Sequence, residues 1–131
     1  MLTDDLLRGL DAQQHEAVVT PPSSIVVHAG AGSGKTRVLT HRIAYRVAAG
    51  TANPENILAI TFTREAAGEM RKRLTNLGVD RTHGAGPTVG TFHAVALSLL
   101  RQRLIDLGQP VPNIVHNRTA LATAAATNHR M

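Results

Sequence analysis

The chain has 131 residues, 43% of them hydrophobic, no cysteine, and a formal charge of +5. One domain of this length can bury a core, while disulfides, thiolate metal sites and a membrane span of ~18 apolar residues are excluded. Met1 is followed by acids rather than a basic and then apolar run, so no secretory signal is read and a soluble, cytoplasmic protein with no membrane partner is expected.

In chain order, Thr3 to Leu10 reads as a short capped helix, and Asp11 as the N-cap of a second, DAQQHEAVV, stopped by Pro21-Pro22. The β-branched run SIVVH (Ser24–His28) ends at a glycine cluster and predicts a buried strand. From Lys35 to about Ala49, Val38, Leu39, Ile43 and Val47 fall at helical spacing, with Gly50 closing the helix. ILAITF (Ile57–Phe62) predicts a second buried strand. A helix follows from Arg64 to Leu77, capped by Thr63, with Ala66, Ala67, Met70, Leu74 and Leu77 on one face. After a loop, GVDRTHGAGP, the run TVGTF (Thr88–Phe92) predicts a third strand leading into a helix that Gly108 ends. The tail NRTALATAAATNHRM has helical propensity without patterning. Alternating strands and helices predict an α/β fold with a doubly wound parallel sheet.

Charge adds a second clue. Residues 1–69 carry six Lys/Arg against seven Asp/Glu, whereas residues 70–131 carry eight against two. A basic half beside a neutral one points to a polyanion, nucleic acid before membrane. A solvated basic surface has the same composition.

The chemistry concentrates in AGAGSGKTR, Ala29 to Arg37. A phosphate-binding loop needs a strand, a glycine-rich turn whose amides surround phosphate oxygens, and a helix beginning there. Gly30, Gly32 and Gly34 allow close backbone approach, Ala31 and Ser33 lie between them, Lys35 supplies charge to outer phosphates, and the Thr36 hydroxyl suits Mg²⁺. Ala29 stands where the motif has glycine, and one methyl fits there if its φ is negative. Two further stretches end strands with an aromatic: Thr61-Phe62-Thr63-Arg64 and Thr91-Phe92-His93. In open α/β sheets ligands collect at the carboxyl ends of strands, and rings beside hydroxyls and arginine suit a single nucleic-acid strand. Both rings also suit ordinary core positions. His15, His28, His41, His83, His116 and His129 show no metal-ligand spacing.

LDAQQHEAV, AGAGSGKTR, AITFTREAAGEMRKRL and VGTFHAVALSLL, in this order, resemble the UvrD/Rep/PcrA family of superfamily-one DNA helicases, from about Leu10 to Leu107. The resemblance implies a RecA-like P-loop NTPase fold, here with an incomplete sheet, ATP and Mg²⁺ as cofactors, and single-stranded DNA as partner. It implies 3′ to 5′ movement and DNA repair or recombination proteins as associates. Gln14 matches the residue reading the adenine edge, although as N3 of a helix capped by Asp11 it also suits a capping box. Lys35 and Thr36 match the phosphate and magnesium residues, and Arg37 one packing by adenine. Phe62, Thr63 and Arg64, then Thr91, Phe92 and His93, match DNA-facing blocks, with Arg64 in place of the more usual asparagine.

Hydrolysis of this kind also needs an acidic pair at a strand end. Asp80 sits in a polar loop, and Asp106 is followed by Leu107 on a helix-like pattern, so neither qualifies. Residues 1–107 therefore read as the amino-terminal part of the ATP-binding domain, and residues 108–131 as the start of a helical insertion or a loose helical tail. The 131-residue chain is expected to bind without turnover, with marginal stability from an exposed sheet edge. The alternatives are a non-catalytic ATP- or DNA-binding module and a P-loop small-molecule kinase.

Overall fold

The computed structural model of the chain describes residues 3–79, 86–113 and 125–126. These divide between two compact units, residues 1–95 and 96–131.

In the first unit, α1 (Thr3–Leu7) buries Leu6. Next comes α2 (Ala12–Val19), which has the expected capping box: the Gln14 amide donates to Asp11 Oδ1 at 2.8 Å, and Asp11 N donates to Gln14 Oε1 at 3.1 Å. The third helix, α3 (Lys35–Ala48), follows the glycine turn, and a 3₁₀ turn (Pro54–Asn56) leads to strand β1 (Leu58–Thr61). Then come α4 (Arg64–Asn76), capped by the Thr63 hydroxyl, and strand β2 (Thr88–Thr91). The last helix, α5 (Phe92–Asp106), begins in this unit.

Three helices end on the expected glycines, Gly50, Gly78 and Gly108, each with φ between +65 and +78°. The amides just beyond each helix reach back to its last carbonyls, as in Thr51 to Arg46, Val79 to Leu74 and Gln109 to Leu104. Only glycine takes that left-handed turn without cost, so sequence alone locates these stops.

β1 and β2 pair in parallel, Leu58 with Thr88 through Thr61 with Thr91. Ala59 enters a core with Leu6, Ile43, Ala44, Met70, Leu74 and Val79, and Val89 packs against it. Leu58 and Ile60, on the other face of β1, are exposed. β1 is thus covered on one face, unlike the fully buried strand its apolar run predicts. On α4 the predicted face is in place: Ala67, Met70 and Leu74 are buried, while Ala66 and Leu77 are half-buried.

The predicted strand over Ser24–His28 does not form. Ile25, Val26 and Val27 are 37, 80 and 46% exposed, and the described sheet has two strands rather than three. β-Branched residues favour extended backbone, but a strand exists only where a neighbour takes its N–H and C=O groups. No described segment takes that place.

In the second unit the remainder of α5 carries exposed Leu99, Leu100 and Ile105. Asp106 lies on this helix, accepting from Gln102 Nε2 at 2.9 Å, and is no strand-end carboxylate. Asp80, His83, His116, His129, most of the expected loop over 78–87 and most of the tail from 108 lie outside the described residues.

Candidate functional site

The glycine loop is shaped by its own short-range bonds. Ser33 N and its hydroxyl both donate to the Gly30 carbonyl, closing a turn, and Gly32 and Gly34 adopt φ of +72 and +85°. Gly34 is the N-cap of α3 and offers no side-chain oxygen, so the amides of the first turn have no side-chain acceptor. Elsewhere a side chain takes that role: Asp11 for α2, Thr63 for α4, and the Thr91 hydroxyl, which accepts from Ala94 N at 3.2 Å, for α5. An uncapped helix start with a cation at its first residue is a ready anion site. That cation, Lys35, is exposed, and Thr36 is half-buried beside it.

A cavity of about 310 Å³ lies between α2, the loop and α3, with Asp11, Gln14, Ala29, Gly30, Ser33 and Lys35 in its lining. Five of the predicted nucleotide residues therefore share one wall system. Ala31, Gly32, Gly34, Thr36 and Arg37 are not in that lining. Gln14 spans the space from α2 to the loop, donating from Nε2 to the Ser33 carbonyl at 3.4 Å. Its φ favours glycine at position 34, and a Cβ there would lie 3.1 Å from that same nitrogen, close enough to nudge the Gln14 amide. Arg37 instead donates from Nη2 to the Gly9 carbonyl at 3.0 Å, tying α3 to the end of α1.

Sequence reasoning missed Arg42. Its guanidinium reaches from α3 to the end of α2: Nη1 donates to the carbonyls of Ala17 (2.9 Å), Val18 (3.4 Å) and Thr20 (2.7 Å), and Nη2 to that of Pro21 (3.4 Å). Burial, and secondarily the charge of Arg46, lower its pKa from the ordinary arginine value. Arginine titrates so far above neutrality that the group stays charged. A legible signal existed: α2 stops at two prolines with no glycine, which leaves its last carbonyls in need of a donor.

At the other strand ends the parallel register does the placing. Thr61 stands opposite Thr91, so Phe62 and Phe92 emerge side by side, with ring centroids 5.3 Å apart and planes tilted by 40°. That separation is close to the spacing of neighbouring strands. Phe62 is 89% and Phe92 51% exposed, so the core reading of these rings fails. Thr63, Arg64 and His93, which follow the rings in sequence, are exposed, while Thr91 is half-buried. A tilted, solvent-facing aromatic pair presents ring faces on which flat apolar groups can stack.

Among the described residues no group of three or more acidic or histidine side chains is placed to hold a metal, and no helix is long and apolar enough to cross a membrane.

Comparison with known proteins adds a family. Residues 10–128 match the profile of the UvrD/REP helicase N-terminal domain. The chain is 49% identical over 105 residues to DNA helicase II of Escherichia coli K12, covering 80% of this chain and 14% of that protein. It is 51% identical over 138 aligned positions to ATP-dependent DNA helicase UvrD2 of Mycobacterium tuberculosis H37Rv, covering 98% and 19% respectively. Against ATP-dependent DNA helicase PcrA of Bacillus subtilis 168 it is 44% identical over 110 residues, covering 82% and 14%. The chain thus spans less than a fifth of the length of these relatives.

Proposed function

This chain belongs to the UvrD/REP helicase N-terminal domain family, and on that premise we propose that it holds ATP and single-stranded DNA for a DNA helicase moving 3′ to 5′. The observation that carries the nucleotide half is the start of α3, the long helix whose first-turn amides are left without a side-chain cap, directly after a glycine turn and under Lys35. Amides, helix dipole and ammonium all favour a polyphosphate there. Within a RecA-like fold, Lys35 neutralises the outer phosphates and the Thr36 hydroxyl offers an oxygen ligand for Mg²⁺. Bound ATP supplies the free energy of phosphoanhydride hydrolysis.

Base choice falls to Gln14. Its amide is engaged by an N–H of Asp11 and a carbonyl of Ser33, one donor and one acceptor. The N6 and N7 edge of adenine offers the same pair, whereas guanine offers two acceptors. Exchange of partners therefore favours ATP over GTP. Arg37, here held on Gly9, is the residue assigned to pack by the adenine. Phe62 and Phe92 stack bases, and Thr63, Arg64, Thr91 and His93 supply hydrogen bonds and charge to the strand's backbone.

The one carboxylate in the described cavity lining, Asp11, is engaged in capping α2, so we assign holding rather than turnover to these 131 residues. In the full-length protein, Lys35→Ala is expected to lower DNA-stimulated ATP hydrolysis by about a hundredfold or more while single-strand affinity is kept. Wild-type unwinding by that variant refutes the assignment.

A further inference from the structure

We propose that Arg42 is a positioning residue for base recognition, gripping the C-terminal end of α2 so that Gln14, near the other end, is presented to the phosphate loop. The proposal rests on the reading of Gln14 given above. Eight residues make α2 a rigid rod of roughly 12 Å. Its far end would otherwise carry unpaired carbonyls, because Pro21 and Pro22 have no N–H to return. Arg42 takes two carbonyls of the last turn, Ala17 and Val18, and those of Thr20 and Pro21 just beyond it, at 2.7–3.4 Å, a cap supplied by another helix and reinforced by the negative end of the α2 dipole.

Arg42 sits on α3, whose first residue is Lys35. The helix that bears the phosphate cation therefore also fixes the helix that bears the base reader. At its near end the hydrogen bond from α2 to the loop is the long Gln14–Ser33 contact at 3.4 Å, weaker than the Arg42 grip, so the Arg42 end acts as the pivot. Release of that pivot tilts α2 and misplaces a bidentate contact that tolerates little displacement, while Lys35 and the α3 amides stay where they are. Lysine is a poor substitute, since a single ammonium cannot span carbonyls on both sides of a planar fork.

The test measures Mg²⁺-dependent binding of ATP, GTP and inorganic tripolyphosphate to the full-length protein. Wild type, Arg42→Gln, Arg42→Lys, Gln14→Ala and the Gln14→Ala/Arg42→Gln pair are compared, with helix content followed by circular dichroism. Arg42→Gln is expected to weaken ATP about tenfold and to erode the preference over GTP, while tripolyphosphate affinity is unchanged. Arg42→Lys recovers part of the preference, and the double variant is no weaker than Gln14→Ala alone. Equal losses of ATP and tripolyphosphate, or full ATP affinity in Arg42→Gln, overturn the role of Arg42. If Arg42→Gln loses its helix content, Arg42→Lys carries the same comparison. A wild-type protein that binds ATP no better than GTP sinks the reading of Gln14, and this proposal with it. A selective wild type with unselective loss in the Arg42 variants sinks this proposal alone.

Discussion

Two regions of the molecule turn an extended segment into a helix, and they do it by different means. At the aromatic rim, β1 and β2 hold each other in register, and a threonine closes the helix after each strand, Thr63 for α4 and Thr91 for α5. At the phosphate loop the preceding segment has no strand partner among the described residues, and the helix begins on a left-handed glycine with no side-chain cap. At the rim each strand is paired along one edge, a threonine hydroxyl caps each following helix, and two rings face solvent. The loop keeps its amides unspent. Helix starts capped by their own side chains present a fixed surface, while one with spare donors is open to an anion.

That contrast can be broken from either side. The largest effect belongs to Lys35→Ala, whose loss of turnover leaves the rim untouched. Phe62→Ala is the mirror image: single-strand affinity falls by about 1–3 kcal/mol, read by fluorescence anisotropy, with ATP affinity unchanged. A loss of ATP binding in that variant would show that the two regions are not separately built. Thr63→Ala removes the cap of α4 and is expected to lower stability by about 1 kcal/mol in a denaturant titration, because the Ala66 amide loses its acceptor. The smallest effect tests the missing strand. Val26 is 80% exposed, so Val26→Ser is expected to shift the unfolding free energy of the chain by less than about 0.5 kcal/mol. A cost of several kcal/mol would mean that this segment is packed as a strand after all.

The apolar pattern misled at Ile25–Val27 for a physical reason. Period and propensity report that a segment would gain from burial, but burial requires a partner, and the described sheet supplies none on that side. The same limit applied to Phe62 and Phe92, for which a core position and an exposed one look alike in sequence. Parallel pairing, with Thr61 opposite Thr91, separated the two readings.

What the sequence determined by itself is whatever is settled within about four residues along the chain. The glycine stops at Gly50, Gly78 and Gly108, the caps Asp11 and Thr63, the capping box through Gln14 and the uncapped glycine before Lys35 all belong there. Each is a bond or a φ angle between near neighbours, so residue type decides it. Tertiary structure alone decided the bonds that cross between elements. Gln14 reaches Ser33, Arg37 reaches Gly9, and Arg42 reaches the end of α2, over separations of 19 to 28 residues. Their partners are backbone carbonyls, which every residue carries, so a pattern such as Pro21-Pro22 can mark an end in need of a donor but not which side chain reaches it.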